Sequence, residues 1–187
     1  LDECLAIDRN SAILYALRST VSALQIGEHI LPERISRSAV EADVQQTLDL
    51  CQTNGIALAL ASHAEGFFLR NSGFSLELSR KAIASNPANP LCWSLHAAAL
   101  ARCGQHAAAQ RAAVHSTEIG RLGPMRSYLY SVACACAVIN GRHDDAIHDG
   151  LGHGPLSENR TLILVSSFSW MKLGHGDHQA NQASEPP

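Results

Sequence analysis

The chain has 187 residues, of which 46 % are hydrophobic and only 5 % aromatic, and it carries a formal net charge of −3. No stripe of Lys and Arg stands out, which argues against electrostatic capture of nucleic acid. No apolar run approaches the roughly 20 residues that a membrane span needs. The first residues also lack the charged and apolar regions of a signal peptide, so we expect a cytoplasmic protein without membrane contact.

Apolar residues in the first half recur at three- and four-residue spacing, the pattern of amphipathic helices. Alanine is abundant and favours helix, whereas the alternating β-branched runs that indicate strands are missing. Residues 1–8 are interpreted as the last turns of a helix, from which we expect the chain to be a segment of a longer protein. Further helices are predicted at residues 12–25, from a cap at Ser36 or Ser38 to residue 51, and at residues 56–69 and 74–85. An irregular connection is predicted at residues 27–36.

The second half is predicted to form pairs of helices that turn at glycine. Two prolines at 87 and 90 end the preceding helix, because proline disfavours helix in the residue before it. The predicted helices span residues 91–102, 106–119, 125–139, 143–148, 158–173 and about 177–183. A loop is predicted at residues 150–155 and a disordered tail at residues 184–187.

Six cysteines occur, at positions 4, 51, 92, 103, 134 and 136, and no two of them form a CxxC pair. Most fall on the apolar side of a predicted helix, where a free cysteine packs as a small hydrophobic residue. We therefore expect reduced thiols. The alternative is a redox or metal pair at Cys134 and Cys136, although side chains two positions apart on a helix point in different directions.

A repeat aligns on three turn glycines that are 37 and 33 residues apart: Gly104, Gly141 and Gly174. An alanine follows the first two glycines by five residues, at Ala109 and Ala146, whereas the third copy is shifted. Seven positions before each glycine stands a small residue, where the helices of a pair must cross closely: Ala97, Cys134 and Ser167. The spacings lie around a 34-residue period that is known for paired helices.

In these residues the chain resembles the tetratricopeptide repeat (TPR) family. Trp93 stands at the position of the family's tryptophan, with Ala97 at its glycine and Ala109 at its second-helix alanine. Ala82 and Pro87 match the closing alanine and proline of a preceding repeat. The resemblance implies an all-α fold, namely an α-solenoid of antiparallel helix pairs wound into a right-handed superhelix.

The implied repeat domain covers residues 1–183, with about four to five helix pairs of which the first and last are incomplete. The string from Ala82 to Ile147 also resembles the C-terminal repeat segments of bacterial signalling proteins. Such proteins often carry an N-terminal winged-helix DNA-binding domain or a nucleotide cyclase domain. The resemblance implies the regulatory segment of a transcriptional regulator or of a cyclase-type protein, without the DNA-reading or catalytic residues.

The first helix of each TPR pair lines a concave face, and the resemblance places nine residues of this chain on it. They are Leu91, Ser94, Ala98, Tyr128, Ser131, Ala135, Thr161, Leu164 and Phe168. This surface lacks the Lys and Asn residues of relatives that clamp a carboxylate, so we expect an extended or helical peptide with apolar anchors. The alternative is that the protein's own missing domain, or a second subunit of a homodimer, fills the groove.

His143, Asp144 and His148 form the sharpest polar cluster. Asp144 and His148 are four residues apart on one face of a predicted helix, and together with His153 they could hold a divalent metal. The alternative is a solvated helix face, and the similar cluster at residues 175–178 is expected at the surface. We therefore predict no metal site, no cofactor and no catalytic residue.

Three functions remain open on these observations. The first is a non-enzymatic scaffold that binds a protein or peptide, as the regulatory or interaction part of a larger bacterial signalling or transcription protein. The second is a secretion-type TPR chaperone whose groove holds an unfolded segment of its client. The third is a metal-dependent enzyme that uses the cluster of His143, Asp144 and His148.

Overall fold

The computed structural model describes residues 1–27, 33–142 and 144. Within those ranges the chain forms eight helices and no strand, so the predicted all-α class is confirmed. The helices are α1 (Asp2–Ile7), α2 (Ala12–Gly27), α3 (Glu33–Leu50), α4 (Gly55–Phe67), α5 (Ser72–Ser85), α6 (Pro90–Arg102), α7 (His106–Gly120) and α8 (Arg126–Ile139). None of these eight helices is long and apolar enough to cross a lipid bilayer.

Asparagine begins three successive helices. The side chains of Asn54, Asn71 and Asn89 accept hydrogen bonds from backbone amides two or three residues later, at 2.9–3.4 Å. An asparagine at this position satisfies amides that have no partner within the helix. Pro90 then occupies the start of α6, where its missing N–H leaves no bond unmade. The predicted breaks between these helices are therefore observed where local chemistry places them.

The turns after α6 and α8 have the same backbone geometry. Gly104 and Gly141 both have positive φ angles, of 72° and 75°. The amide of the next residue donates a hydrogen bond to the carbonyl five residues before it, at 2.9 Å after Gly104 and 2.8 Å after Gly141. This pattern satisfies helix carbonyls that would otherwise lack a donor, and it favours glycine in the left-handed position. The alignment on these two glycines therefore identifies equivalent turns.

A third equivalent turn carries no glycine. Arg70 lies 34 residues before Gly104 and has a φ angle of 62°, the only positive value at a non-glycine residue in the described part of the chain. It joins α4 to α5 just as Gly104 joins α6 to α7. Sequence alignment on glycine could not find this copy, because the left-handed position is occupied by arginine.

Alternate helices form one row of the packing. Helices α2, α4, α6 and α8 pack in that order, and α3, α5 and α7 each pack against the helix before and the helix after them. The core from α2 to α6 contains large side chains that include Val40, Leu58, Leu78 and Leu95. The core from α5 to α8 is mainly alanine, together with Leu76, Leu100 and Val132. Small side chains let the later helices approach one another closely.

The first helices are joined by a partly buried arginine. Arg18 of α2 holds Asp43 of α3 with two hydrogen bonds of 2.9 and 2.7 Å and reaches Asp2 of α1 at 2.7 Å. These carboxylates raise the pKa of Arg18 above its ordinary value. The two-bond geometry orients the pair as well as stabilising it.

One predicted boundary is wrong, and several others lie beyond the described ranges. Helix α3 begins at Glu33, so Ser36 and Ser38 lie inside it rather than capping it, and the irregular connection is shorter than predicted. Glutamate and arginine are good helix formers, which favours helix at residues 33 and 34 without a serine cap. Outside the described residues lie the predicted helices at 158–173 and 177–183, the loop at 150–155, the tail, and residues 143–148 except Asp144.

Candidate binding groove

The residues predicted for the concave face divide into three groups. Ser94 and Ala98 on α6, and Ser131 and Ala135 on α8, are buried. Leu91 and Tyr128 are half-buried and pack against the core of the earlier helices. The remaining three predictions, Thr161, Leu164 and Phe168, lie outside the described residues. The structure thus places the six described residues on two adjacent helices, and their role in binding a peptide stays a prediction.

A different surface of the same helices forms an open groove. It has a volume of about 420 Å³ and lies where α5 and α7 flank α6. Its lining comprises Arg80 of α5, Trp93, His96 and Leu100 of α6, and Ala108, Arg111, Ala112 and His115 of α7. The groove therefore combines an aromatic floor with two guanidinium groups on helices to either side of it.

The groove exists because α7 presents small side chains there. Ala108 and Ala112 stand 34 residues after Phe74 and Leu78 of α5. In the earlier pair, Leu78 is buried in the core and Phe74 packs against it. Alanine at both positions of α7 leaves the equivalent space open above the floor.

Trp93 is held in a fixed orientation. Its indole nitrogen donates a hydrogen bond of 2.7 Å to the carbonyl oxygen of Pro87. The ring of His115 meets it edge to face, with centroids 4.6 Å apart, and His96 lies in a similar arrangement at 6.3 Å. Such contacts add to the energy of apolar burial and fix the ring planes. Trp93 is thus a rigid apolar surface at the floor.

His96 is uncharged at neutral pH. Burial, and next the nearby Arg80, lower the pKa of His96 to about 4. Its Nδ1 atom lies 2.9 Å from the Oγ atom of Ser79. The Ser79 hydroxyl donates to the carbonyl oxygen of Leu76 at 2.9 Å, so Nδ1 donates to Ser79. That polarity positions the imidazole and is the reverse of what activation of a serine nucleophile needs.

The positive charge of the groove comes from two exposed arginines. Arg80 and Arg111 lie on α5 and α7, and neither forms an ion pair within the described ranges. No carboxylate belongs to the lining. The nearest printed carboxylate contact is that of Glu118, 3.8 Å from the Nδ1 atom of His115. The groove can therefore offer two guanidinium groups to an anionic ligand.

Sequence reasoning did not identify this groove. It recognised Trp93 only as a repeat position and assigned no role to Arg80 or Arg111. The available signal was the change from Phe74 and Leu78 to alanine at the equivalent positions of the next pair. Using that signal required the alignment of Arg70 with Gly104, which is evident only from the backbone angles.

A second polar cluster lies inside the packing of α4 and α6. The ring of His63 stacks on Phe67 with centroids 5.3 Å apart, and the guanidinium carbon of Arg102 lies 5.6 Å from the centroid of the same ring. Burial, and next Arg102, lower the pKa of His63 to about 3. Burial also lowers the pKa of Arg102 to about 10 and raises that of Tyr128 to about 12. This cluster is closed to solvent and fits a structural role.

The proposed metal and thiol sites can be compared with the described residues only in part. Asp144 is exposed, whereas His143, His148 and His153 lie outside the described residues. Within the described ranges, no three His, Cys, Asp or Glu residues are placed to share a metal ion. Burial raises the pKa of Cys136 to about 12, so at neutral pH it is a thiol rather than the thiolate that metal binding or redox exchange needs.

Comparison with protein-family models, with curated proteins and with solved structures finds no match to this chain. The functional argument therefore rests on the residues themselves. The two relevant facts are the recurrent helix-pair geometry of α4–α8 and the groove that one of these pairs leaves open.

Proposed function

We propose that the chain is a non-enzymatic scaffold of TPR-like helix pairs that binds a protein or peptide. The observation that carries the proposal is the recurrence of one turn geometry at Arg70, Gly104 and Gly141, 34 and 37 residues apart. Units that repeat in this way present grooves between helices as their extended surface. The resemblance of residues 82–147 to bacterial regulatory segments supports a place within a larger signalling or transcription protein.

The form of the groove supports a polypeptide ligand over a small substrate. It is shallow and open, whereas sites for small molecules enclose most of the ligand surface. Its only serine–histidine contact, between Ser79 and His96, has the polarity of a positioning hydrogen bond. A segment of chain that lies across α6 would contact the floor and both flanking helices.

Selection from a random peptide library displayed on phage tests the proposal. We expect sequences to be enriched over selection on an unrelated helical protein, and synthetic copies to bind with micromolar Kd in fluorescence anisotropy. Leu91→Arg tests the predicted concave face separately, since Leu91 is one of its two half-buried described residues. Failure to enrich any sequence on the folded protein would contradict a peptide-binding scaffold.

A further inference from the structure

We infer that the groove of Arg80, Trp93 and Arg111 binds an acidic segment of a polypeptide, with two carboxylates on the arginines and an apolar side chain on the tryptophan. This inference deepens the proposed function and rests on it, since it names the chemistry of the ligand and the place where it binds. The site differs from the predicted concave face, whose described members lie elsewhere on α6 and on α8.

Charge is the first argument. The whole chain carries a net charge of −3, yet the groove contains two arginines and no carboxylate in its lining. His96 is neutral, so both formal charges at pH 7 belong to guanidinium groups. Guanidinium recognises carboxylate through paired N–H donors and is less strongly hydrated than ammonium, which lowers the cost of binding.

Rigidity is the second argument. The indole of Trp93 is fixed by its bond to Pro87 and by the ring of His115. The imidazole of His96 is fixed by Ser79, which is itself buried. A platform that is ordered before binding loses little conformational entropy when a ligand packs on it. An aromatic side chain beside arginine is also typical of the residues that dominate binding energy at interfaces.

Size is the third argument. A volume of about 420 Å³ accommodates a few side chains. Ala108 and Ala112 keep the α7 wall low, so a chain that enters beside Arg111 can continue across the floor toward Arg80. The ligand that fits is therefore a short stretch with acidic residues around an aliphatic or aromatic one.

A nucleic acid fits the same groove poorly. Nucleic-acid sites commonly neutralise about 6–10 phosphates, whereas this groove contributes two arginines. Glu77, on the same helix as Arg80, pairs with Lys81 at 2.7 Å, and Glu118 lies beside His115. These carboxylates bordering the groove would repel a continuous polyanion but leave room for isolated acidic side chains.

The test extends the peptide selection to matched variants. The groove variant combines Arg80→Gln with Arg111→Gln, both at exposed positions where the fold should be retained, as circular dichroism would verify. The control is Arg121→Gln, which removes an exposed arginine outside the groove. The probe is a fluorescein-labelled copy of the most enriched peptide, and its counterpart has every Asp and Glu replaced by Asn and Gln.

We expect acidic sequences to be enriched and the groove variant to weaken probe binding by about tenfold, with Arg121→Gln within about twofold of the unmodified protein. The neutral counterpart should lose affinity to a similar extent. In a Trp170→Phe background, which leaves Trp93 as the only tryptophan, the probe should change the tryptophan emission.

The other outcomes separate this inference from the proposed function. Enriched peptides that are neutral or basic, or that bind the groove variant as well as the unmodified protein, would overturn the inference and leave peptide binding intact. Tighter binding of a single-stranded oligonucleotide than of the probe would also overturn it. Enrichment of no peptide at all would overturn both.

Discussion

The pair α4–α5 and the pair α6–α7 have the same backbone plan but are held together differently. At the crossing of α4 and α5, Ser62 and Ser75 exchange hydrogen bonds with each other's carbonyl oxygens at 2.8 and 2.7 Å. The equivalent of Ser75 in the next pair is Ala109, which is buried against an alanine-rich core. One pair thus crosses through buried polar bonds and the other through apolar contact alone.

The two pairs also distribute side-chain volume in opposite ways. On α4, Gly66 stands where α6 has Leu100, and on α5, Leu78 stands where α7 has Ala112. The first pair has its bulk on its second helix and fills its core, whereas the second has its bulk on its first helix and leaves a groove. A binding surface therefore arises from redistributing volume within a unit, without a change in the backbone plan.

The largest predicted effect concerns His63, whose equivalent in the second pair is Ala97. Its folded-state pKa of about 3 lies below the ordinary value of 6.5, so the unfolded chain takes up the proton first as the pH falls. Stability that is complete above pH 6.5 is therefore lost progressively toward pH 3. At pH 5 the loss from His63 is about 2 kcal/mol.

Urea unfolding at pH 7 and pH 5 measures this difference. In His63→Gln the loss between the two pH values should be smaller than in the unmodified protein by about 2 kcal/mol. His115→Gln, at an exposed site, is the control and should leave the pH dependence unchanged. An equal pH dependence in His63→Gln and in the unmodified protein would show that His63 is not held neutral by burial.

The crossing of α4 and α5 can be broken at Gly66. A Cβ atom there would lie 2.6 Å from the Oγ atom of Ser75 and 3.0 Å from its Cβ atom. We expect Gly66→Ala to lower the free energy of unfolding by about 2 kcal/mol, since the serine pair must separate. Gly73→Ala in α5 meets nothing within 4 Å and should raise it by about 0.5 kcal/mol, because alanine favours helix. Destabilisation by both would point to the chain's general intolerance of alanine.

The contrast between satisfied and unsatisfied serines gives a smaller effect with opposite signs. Ser75→Ala removes a hydrogen bond to Ser62 and should destabilise the protein by about 1 kcal/mol. Ser94 is fully buried on α6, and its hydroxyl has no partner in the described ranges. Ser94→Ala should therefore stabilise by about 1 kcal/mol in the same urea titration. The same sign for both variants would contradict the contrast.

The smallest effects are expected at the turns. Gly104→Ala meets no atom within 4 Å, so only its positive φ opposes the substitution, at a cost of about 1 kcal/mol. At Arg70 the reverse change to glycine relieves the same strain, and we expect a gain of about 0.5 kcal/mol. Thermal unfolding of the two variants measures both shifts, and a loss at Arg70→Gly would mean that its side chain contributes more than the backbone strain costs.

The helices were predictable because their signals are local. Apolar periodicity and the asparagine caps at Asn54, Asn71 and Asn89 act within one or two turns, so the sequence places those boundaries without knowledge of the packing. The start of α3 was missed because helix propensity outweighs an available serine cap by an amount that cannot be read from single residues.

The groove was not predictable because its parts come from three helices. Arg80, Trp93 and Arg111 meet only once α5 and α7 are packed on α6. Spacing along the chain could align Trp93 with a repeat position but could not show that Ala108 and Ala112 leave space beside it. The concave-face residues were identified by resemblance, which places residues on helices but does not determine how deeply neighbouring helices bury them.

The order of helix packing has a consequence for how the protein folds. Helices with extensive contacts are neighbours in the chain or separated by a single helix. The polypeptide therefore closes only short loops as it folds, and low contact order is associated with rapid folding. Opening can also begin at one end while central pairs persist, so amide hydrogen exchange should be slowest in α4 and α6.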